Sequence, residues 1–149
     1  MFSSRRLVFI LSALGALAAA GCGSSSSDTS SSTPTTPTPT VITETFNGTV
    51  TQNSSTVFNF TVNTNGNSLL AGYTSISPAT VTALGLGIGA WDASAQTCGL
   101  NQMQNDASRS GSTAITATAA AGAYCVRVYD AGNVGPGVTT SFTVQVQHY

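Results

Sequence analysis

The sequence predicts an all-β domain, an antiparallel β-sandwich of about seven to eight short strands, behind two segments that do not belong to it. Three observations carry this expectation. Apolar and polar residues alternate with a period of two from Val41 onward, turn-forming residues separate the alternating runs, and no stretch shows a 3.6-residue apolar repeat. Thr, Ser, Gly, Ala and Val dominate, a mix that suits strands joined by tight turns.

The runs follow in order. "VITETFNGTV" (41–50) alternates weakly. "TVFNFTV" (56–62) sets Phe58, Phe60 and Val62 against Val57, Asn59 and Thr61. "SLLAGYTSI" (68–76) is a third strand, between the turn residues of 63–67 and Ser77-Pro78. In "VTALGLGIGAW" (81–91), Leu84, Leu86 and Ile88 oppose Gly85, Gly87 and Gly89, a glycine face open to close approach by another backbone and continued by Trp91. The chain after Trp91, with Cys98, Asn101, Asn105 and Asp106, reads as a loop. "STAITATA" (112–119) is a weaker strand. "GAYCVRVYD" (122–130) opposes Tyr124, Val126 and Val128 to Cys125, Arg127 and Tyr129. After the turn residues of 130–137, "SFTVQVQHY" (141–149) turns Phe142, Val144 and Val146 inward. Short antiparallel strands of this kind pack as two sheets over one core.

Charge excludes whole classes of partner. Only 6% of the 149 residues are charged, against the usual quarter. There is no lysine, and the arginines are Arg5, Arg6, Arg109 and Arg127. Beyond residue 21, five acids (Asp28, Glu44, Asp92, Asp106, Asp130) stand against two arginines. Nothing here neutralises a run of phosphates, so nucleic acid is excluded as a partner. Charge-driven binding to an anionic bilayer is excluded for the same reason.

The start, "MFSSRRLVFILSALGALAAAGC", has a positive n-region at Arg5 and Arg6, then an uncharged apolar stretch from Leu7 to Ala20. As a helix those fourteen residues span about 21 Å, short of the roughly 30 Å of a hydrocarbon layer. This is the pattern of a cleavable signal peptide over residues 1–21. Its end, Ala19-Ala20-Gly21-Cys22, resembles the bacterial lipobox, with Ala19 where leucine is commonest. The resemblance implies a diacylglyceryl thioether on the Cys22 sulfur and cleavage before Cys22. The partner it implies is the membrane, through a lipid anchor; two or more acyl chains hold firmly where one binds reversibly. An ordinary secretory peptide cut after Ala18-Ala19-Ala20 is the alternative. Gly23 lacks the aspartate that retains enterobacterial lipoproteins in the inner membrane. The resemblance therefore implies export, with outer-membrane placement in a two-membrane cell.

Residues 22–40 read as a disordered tether. "GSSSSDTSSSTPTTPTPT" has no aliphatic or aromatic side chain with which to offset the entropy of ordering. Its Ser-rich half is a flexible coil and its Thr-Pro half leans to polyproline conformation. The folded domain occupies 41–149.

Within that domain, "GTVTQNSSTVFNFTV", "LGLGIGAWDAS", "AAAGAYCVRVYDAGN" and "TSFTVQVQH" together resemble the bacterial pre-peptidase C-terminal domain. The resemblance implies a small jelly-roll-like sandwich without catalysis, serving secretion, surface binding or substrate presentation. Some relatives hold calcium through acids near the domain's start, where this chain has only Glu44. With Cys22 given to lipid, Cys98 and Cys125 form an even pair in an oxidising compartment and are expected to bridge, outside the main core; two free thiols are the alternative.

Chemistry-bearing groups are sparse. His148 is the only histidine and has no acid nearby in sequence, so it reads as a strand-end residue rather than a general base. "GLGIGA" lacks phosphate-loop spacing. Asp92, Asp106, Asp130, Asn101 and Asn105 read as turn caps rather than calcium ligands, and no Cys/His cluster suits zinc. The expectation is therefore no catalytic residue, no cofactor and no metal. It is a lipid-anchored interaction or structural module of the cell envelope, with a glycan or an envelope protein as its partner. The alternative is a carbohydrate-binding module stacking sugar on exposed aromatics, Trp91 and Tyr129 first, with Tyr73 and Tyr149 as further candidates.

Overall fold

The computed structural model describes residues 38–149, apart from the side chains of 100–102. The signal-like segment, Cys22 and the tether lie outside the described residues. From residue 38 on there are eight strands and, among the described residues, no helix: β1 (Ile42–Val50), β2 (Ser55–Val62), β3 (Asn67–Ser77), β4 (Leu84–Asp92), β5 (Thr97–Ser108), β6 (Ser112–Ala119), β7 (Gly122–Tyr129) and β8 (Thr140–His148).

The pairing is nested. β1 pairs with β8, β2 with β7, β3 with β6 and β4 with β5, all antiparallel. The chain is thus one long hairpin whose register runs from Ile42↔His148 at its ends to Asp92↔Thr97 at its tip. Winding puts alternate pairs into opposite sheets, β1-β8-β3-β6 (sheet A) and β2-β7-β4-β5 (sheet B). That order is the jelly roll, an antiparallel sandwich.

Alternation explains the core. Leu69, Ala71 and Tyr73 from β3, Leu84, Leu86 and Ile88 from β4, Val126 and Val128 from β7, and Phe142, Val144 and Val146 from β8 all point between the sheets and are buried. Phe60 and Val62 from β2 and Ile115 from β6 complete it. Phe46 and Phe58, stacked at 5.2 Å, are half-buried against this core at the flank where β1 and β2 are the sheet edges.

One expectation is corrected. Residues 97–108 form strand β5 rather than a loop, and Cys98 sits in it. β5 is an edge strand with register slips opposite Leu84/Leu86 and Ile88/Ala90, which break the apolar alternation that marks its neighbours.

Registers also fix the two poles of the sandwich. The start of β1, the end of β8 and the turns at 63–66, 93–96 and 120–121 share one pole, here called proximal. The turns at 51–54, 78–83, 109–111 and 130–139 share the other, distal pole.

Candidate functional site

The outward face of sheet B carries the glycine strip. Gly85 pairs with Tyr129, Gly87 with Arg127 and Gly89 with Cys125. At Gly85 a side chain, not a backbone, makes the close approach: a Cβ there would stand 2.2 Å from the Tyr129 ring. The ring occupies the space above Gly85, and its hydroxyl donates to Asp106 Oδ1 on β5. The Arg127 guanidinium carbon stands over the ring at 5.5 Å from its centroid. Burial, then the Asp106 hydrogen bond and charge, push the Tyr129 phenol up to about 12, against the opposing charge of Arg127.

Further along the same face, Cys98 and Cys125 form a disulfide with Cα atoms 5.7 Å apart, joining β5 to β7. Gly89, opposite Cys125 on the intervening strand, presents no side chain beneath it. Cys125 is fully buried yet outside the core cluster.

The candidate aromatics are dispersed. Tyr129 lies over Gly85 near the distal pole, whereas Trp91 is six positions on along β4, paired with Cys98 at the proximal pole. At roughly 3.3 Å per residue, about 20 Å separates those positions. Both rings are half-buried. Tyr73 is no surface residue: it is 1% exposed, inside the core, and its hydroxyl donates to the Gly85 carbonyl at 2.9 Å. Burial and the neighbouring Tyr129 raise its phenol far above the ordinary range. Tyr149 is half-buried at the proximal pole.

The acids are engaged locally. Asp92 Oδ1 accepts from the Ser94 hydroxyl at 2.6 Å and from the Ser94 and Ala95 amides, which together hold its carboxyl below the usual range. Asp130 accepts from the Gly132, Asn133 and Val134 amides through Oδ1 and from Asn53 through Oδ2. Burial alone would raise Asp130, but those four donors outweigh it and hold the carboxyl low. Asn105 accepts from the Ala107 amide and donates to the Ala114 carbonyl. Among the described residues, no three His, Cys, Asp or Glu side chains gather as a metal would require.

Sequence reasoning missed a pair that the fold assembles. His148, 1% exposed, has Nε2 2.9 Å from Glu44 Oε1 on the neighbouring strand β1. A carboxylate only accepts, so Nε2 carries the proton, and Nδ1 faces the interior with no partner. The Phe60 ring lies 5.4 Å from the imidazole. The pair links β8 to β1 beside the Ile42↔His148 end of their ladder.

The outward face of sheet A differs in kind. Thr43, Thr45, Asn47 and Thr49 on β1, Thr143, Gln145 and Gln147 on β8, and Thr116 and Thr118 on β6 carry hydroxyls and amides but no charge. In its middle, β3 slips register against β6 at Ala71/Gly72 and against β8 between Gly72 and Ser75. The start of β6 stays paired with β3 there, Thr113 opposite Gly72 and Ser112 opposite Tyr73. A Cβ at Gly72 would stand 2.3 Å from the Ser112 carbonyl oxygen, so this close approach requires glycine. The Gly111 amide donates to the Tyr73 carbonyl at 2.7 Å, and the Ser110 hydroxyl to the Thr74 carbonyl at 2.9 Å. These bonds pin a groove of about 360 Å³ floored by Leu70 and Gly72, with Ser112 and Thr113 on one side and Gln145 and Gln147 on the other.

Neither a protein-family model, nor a curated protein, nor a solved structure matches this chain.

Proposed function

We propose that this chain is a lipid-anchored, non-catalytic module of a bacterial cell envelope, whose sandwich domain presents an uncharged surface for interaction. The observation that carries the reading is the lipobox-like Ala19-Ala20-Gly21-Cys22 at the end of a charged-then-apolar leader, followed at once by a Ser/Thr/Pro run. The jelly-roll sandwich supports the likeness to the pre-peptidase C-terminal domain. The absence of catalysis is supported by how the ionisable groups are used. Asp92 and Asp130 cap turns, Asp106 holds Tyr129, and Glu44 holds His148, whereas acid–base chemistry needs convergent groups facing a substrate. Mass spectrometry of the purified native protein tests the anchor. A mature chain beginning at acylated Cys22 is the expected result, and Cys22→Ser should move the protein from the membrane to the soluble fraction. A free, unacylated amino terminus overturns the reading.

A second reading, a carbohydrate-binding module, is favoured by the hydroxyl- and amide-bearing face of sheet A. A single stacking platform made of Trp91 and Tyr129 is not favoured, because the two stand at opposite poles.

A further inference from the structure

We propose that the groove on the outer face of sheet A is a binding site for a neutral sugar chain, with Gln145 and Gln147 as its hydrogen-bonding residues. The inference rests on the reading of this chain as a binding module and supplies its ligand class.

The argument begins with unspent hydrogen-bonding capacity. Each glutamine amide offers two N–H donors and a carbonyl acceptor, which suits adjacent sugar hydroxyls, since each of those both donates and accepts. The two glutamines stand two positions apart on one face of β8, so their stems are spaced by about 7 Å. Among the described residues, the side-chain hydrogen bonds made from β8 run from Ser141, Thr143 and His148. Neither amide takes part in one. Opposite them, Ser112 and Thr113 line the groove, and Thr74 lies at its distal side. Donors and acceptors thus face each other across the groove.

The lining decides the charge of the occupant. It contains no acid and no base, so a phosphorylated or carboxylated ligand would lose its hydration without gaining a counter-charge. A neutral polyhydroxylated ligand gives up only hydrogen bonds that the amides and hydroxyls replace. Leu70 gives the floor a low apolar surface against which the C–H face of a sugar ring can lie. The groove's volume of about 360 Å³ falls within the roughly 300–1,000 Å³ typical of small-molecule sites.

Position in the sheet argues against an extended peptide. Peptides bind sheets by adding to a free edge, but β3 is interior, with β8 on one side and β6 on the other. The site is also preformed. The backbone around Gly72 is fixed by its close packing against Ser112 and by the bonds from Gly111 and Ser110, so the ordering cost of binding falls on the glutamine side chains rather than on the backbone.

The test uses the full acylated chain in a detergent without a sugar head group. It is titrated calorimetrically with neutral tetrasaccharides of glucose, mannose and N-acetylglucosamine, and the glutamine side-chain amide signals are followed by NMR. At least one tetrasaccharide should bind and shift the Gln145 and Gln147 amides. Q145A/Q147A, two changes on a solvent-facing surface, should weaken that binding at least about tenfold, while W91A should leave it unchanged. No binding by any tetrasaccharide, wild-type affinity in the double variant, or loss of binding in W91A would overturn the assignment. Acyl mass measured on the same sample separates failure of the anchor from failure of the groove.

Discussion

His148 Nε2 lies 2.9 Å from Glu44 Oε1, fastening the eighth strand to the first across 104 positions of chain. The imidazole is buried beside the Phe60 ring, whereas Glu44 is about one-third exposed. The two ends of the pair should therefore differ in cost. H148A leaves a cavity beside Phe60 and should lower stability by about 2–4 kcal/mol. E44Q keeps an oxygen acceptor in place and should cost less than about 1 kcal/mol. Urea denaturation of both variants checks this, and equal losses would contradict the geometry.

The Tyr129 ring fills the space that a side chain at Gly85 would need. G85A should expel the ring, break its bond to Asp106 and destabilise the domain by about 1–3 kcal/mol. G85A/Y129A should then be less destabilised than the sum of its two single changes, because the clash has gone. A fully additive double variant would show that ring and glycine do not compete.

The disulfide closes a loop between positions 27 apart. In the chain-entropy model, reducing it should cost about 3.5 kcal/mol. Thermal melts with and without reductant measure this, and C98S/C125S should reproduce the reduced protein's Tm. Because the bridge lies outside the core cluster, the reduced protein should keep its sheet signature in circular dichroism below the new Tm.

Asp130 sets part of the acid limb of stability. Its folded carboxyl titrates below its ordinary value because four backbone amides bind the charged form, outweighing its burial. The contribution is whole above the unfolded carboxyl's value of about 3.9. It drains away as pH falls through the lower folded value. D130A should cost about 1 kcal/mol at neutral pH, as for a lost cap partly screened by solvent. The variant's loss of stability between pH 5 and pH 2 should also be shallower than the wild type's. Parallel curves for the two proteins would refute the assignment.

Tyr129 acts at the other extreme. With its folded phenol raised to about 12, its contribution is whole below the unfolded value of about 10 and lost as pH rises toward 12. Absorbance titration of the tyrosinates should therefore lose a late-ionising component in Y129F. An unchanged titration would place the phenol in solvent.

Alternation made seven of the strands legible, since "TVFNFTV", "GAYCVRVYD" and "SFTVQVQHY" turn inward the residues that their period of two selects. β5 escaped because its bulges interrupt that period and Gln104, Asn105 and Asp106 read as loop. The cysteine pair needed only counting. Glu44 and His148 did not signal each other because their proximity is made by nested strand pairing, which no local pattern encodes. The groove was hidden for a related reason. It arises where β3 slips against both neighbours at Gly72, and one glycine inside "SLLAGYTSI" does not announce a backbone carbonyl packed against it.

The nesting of β1 against β8 has a temporal corollary. Ile42 finds its register partner only once His148 has been delivered, so closure of the roll waits for nearly the whole domain to emerge from the ribosome. Topologies dominated by distant pairings fold slowly, so the emerging chain stays extended and unpaired at its ends until the last strand arrives.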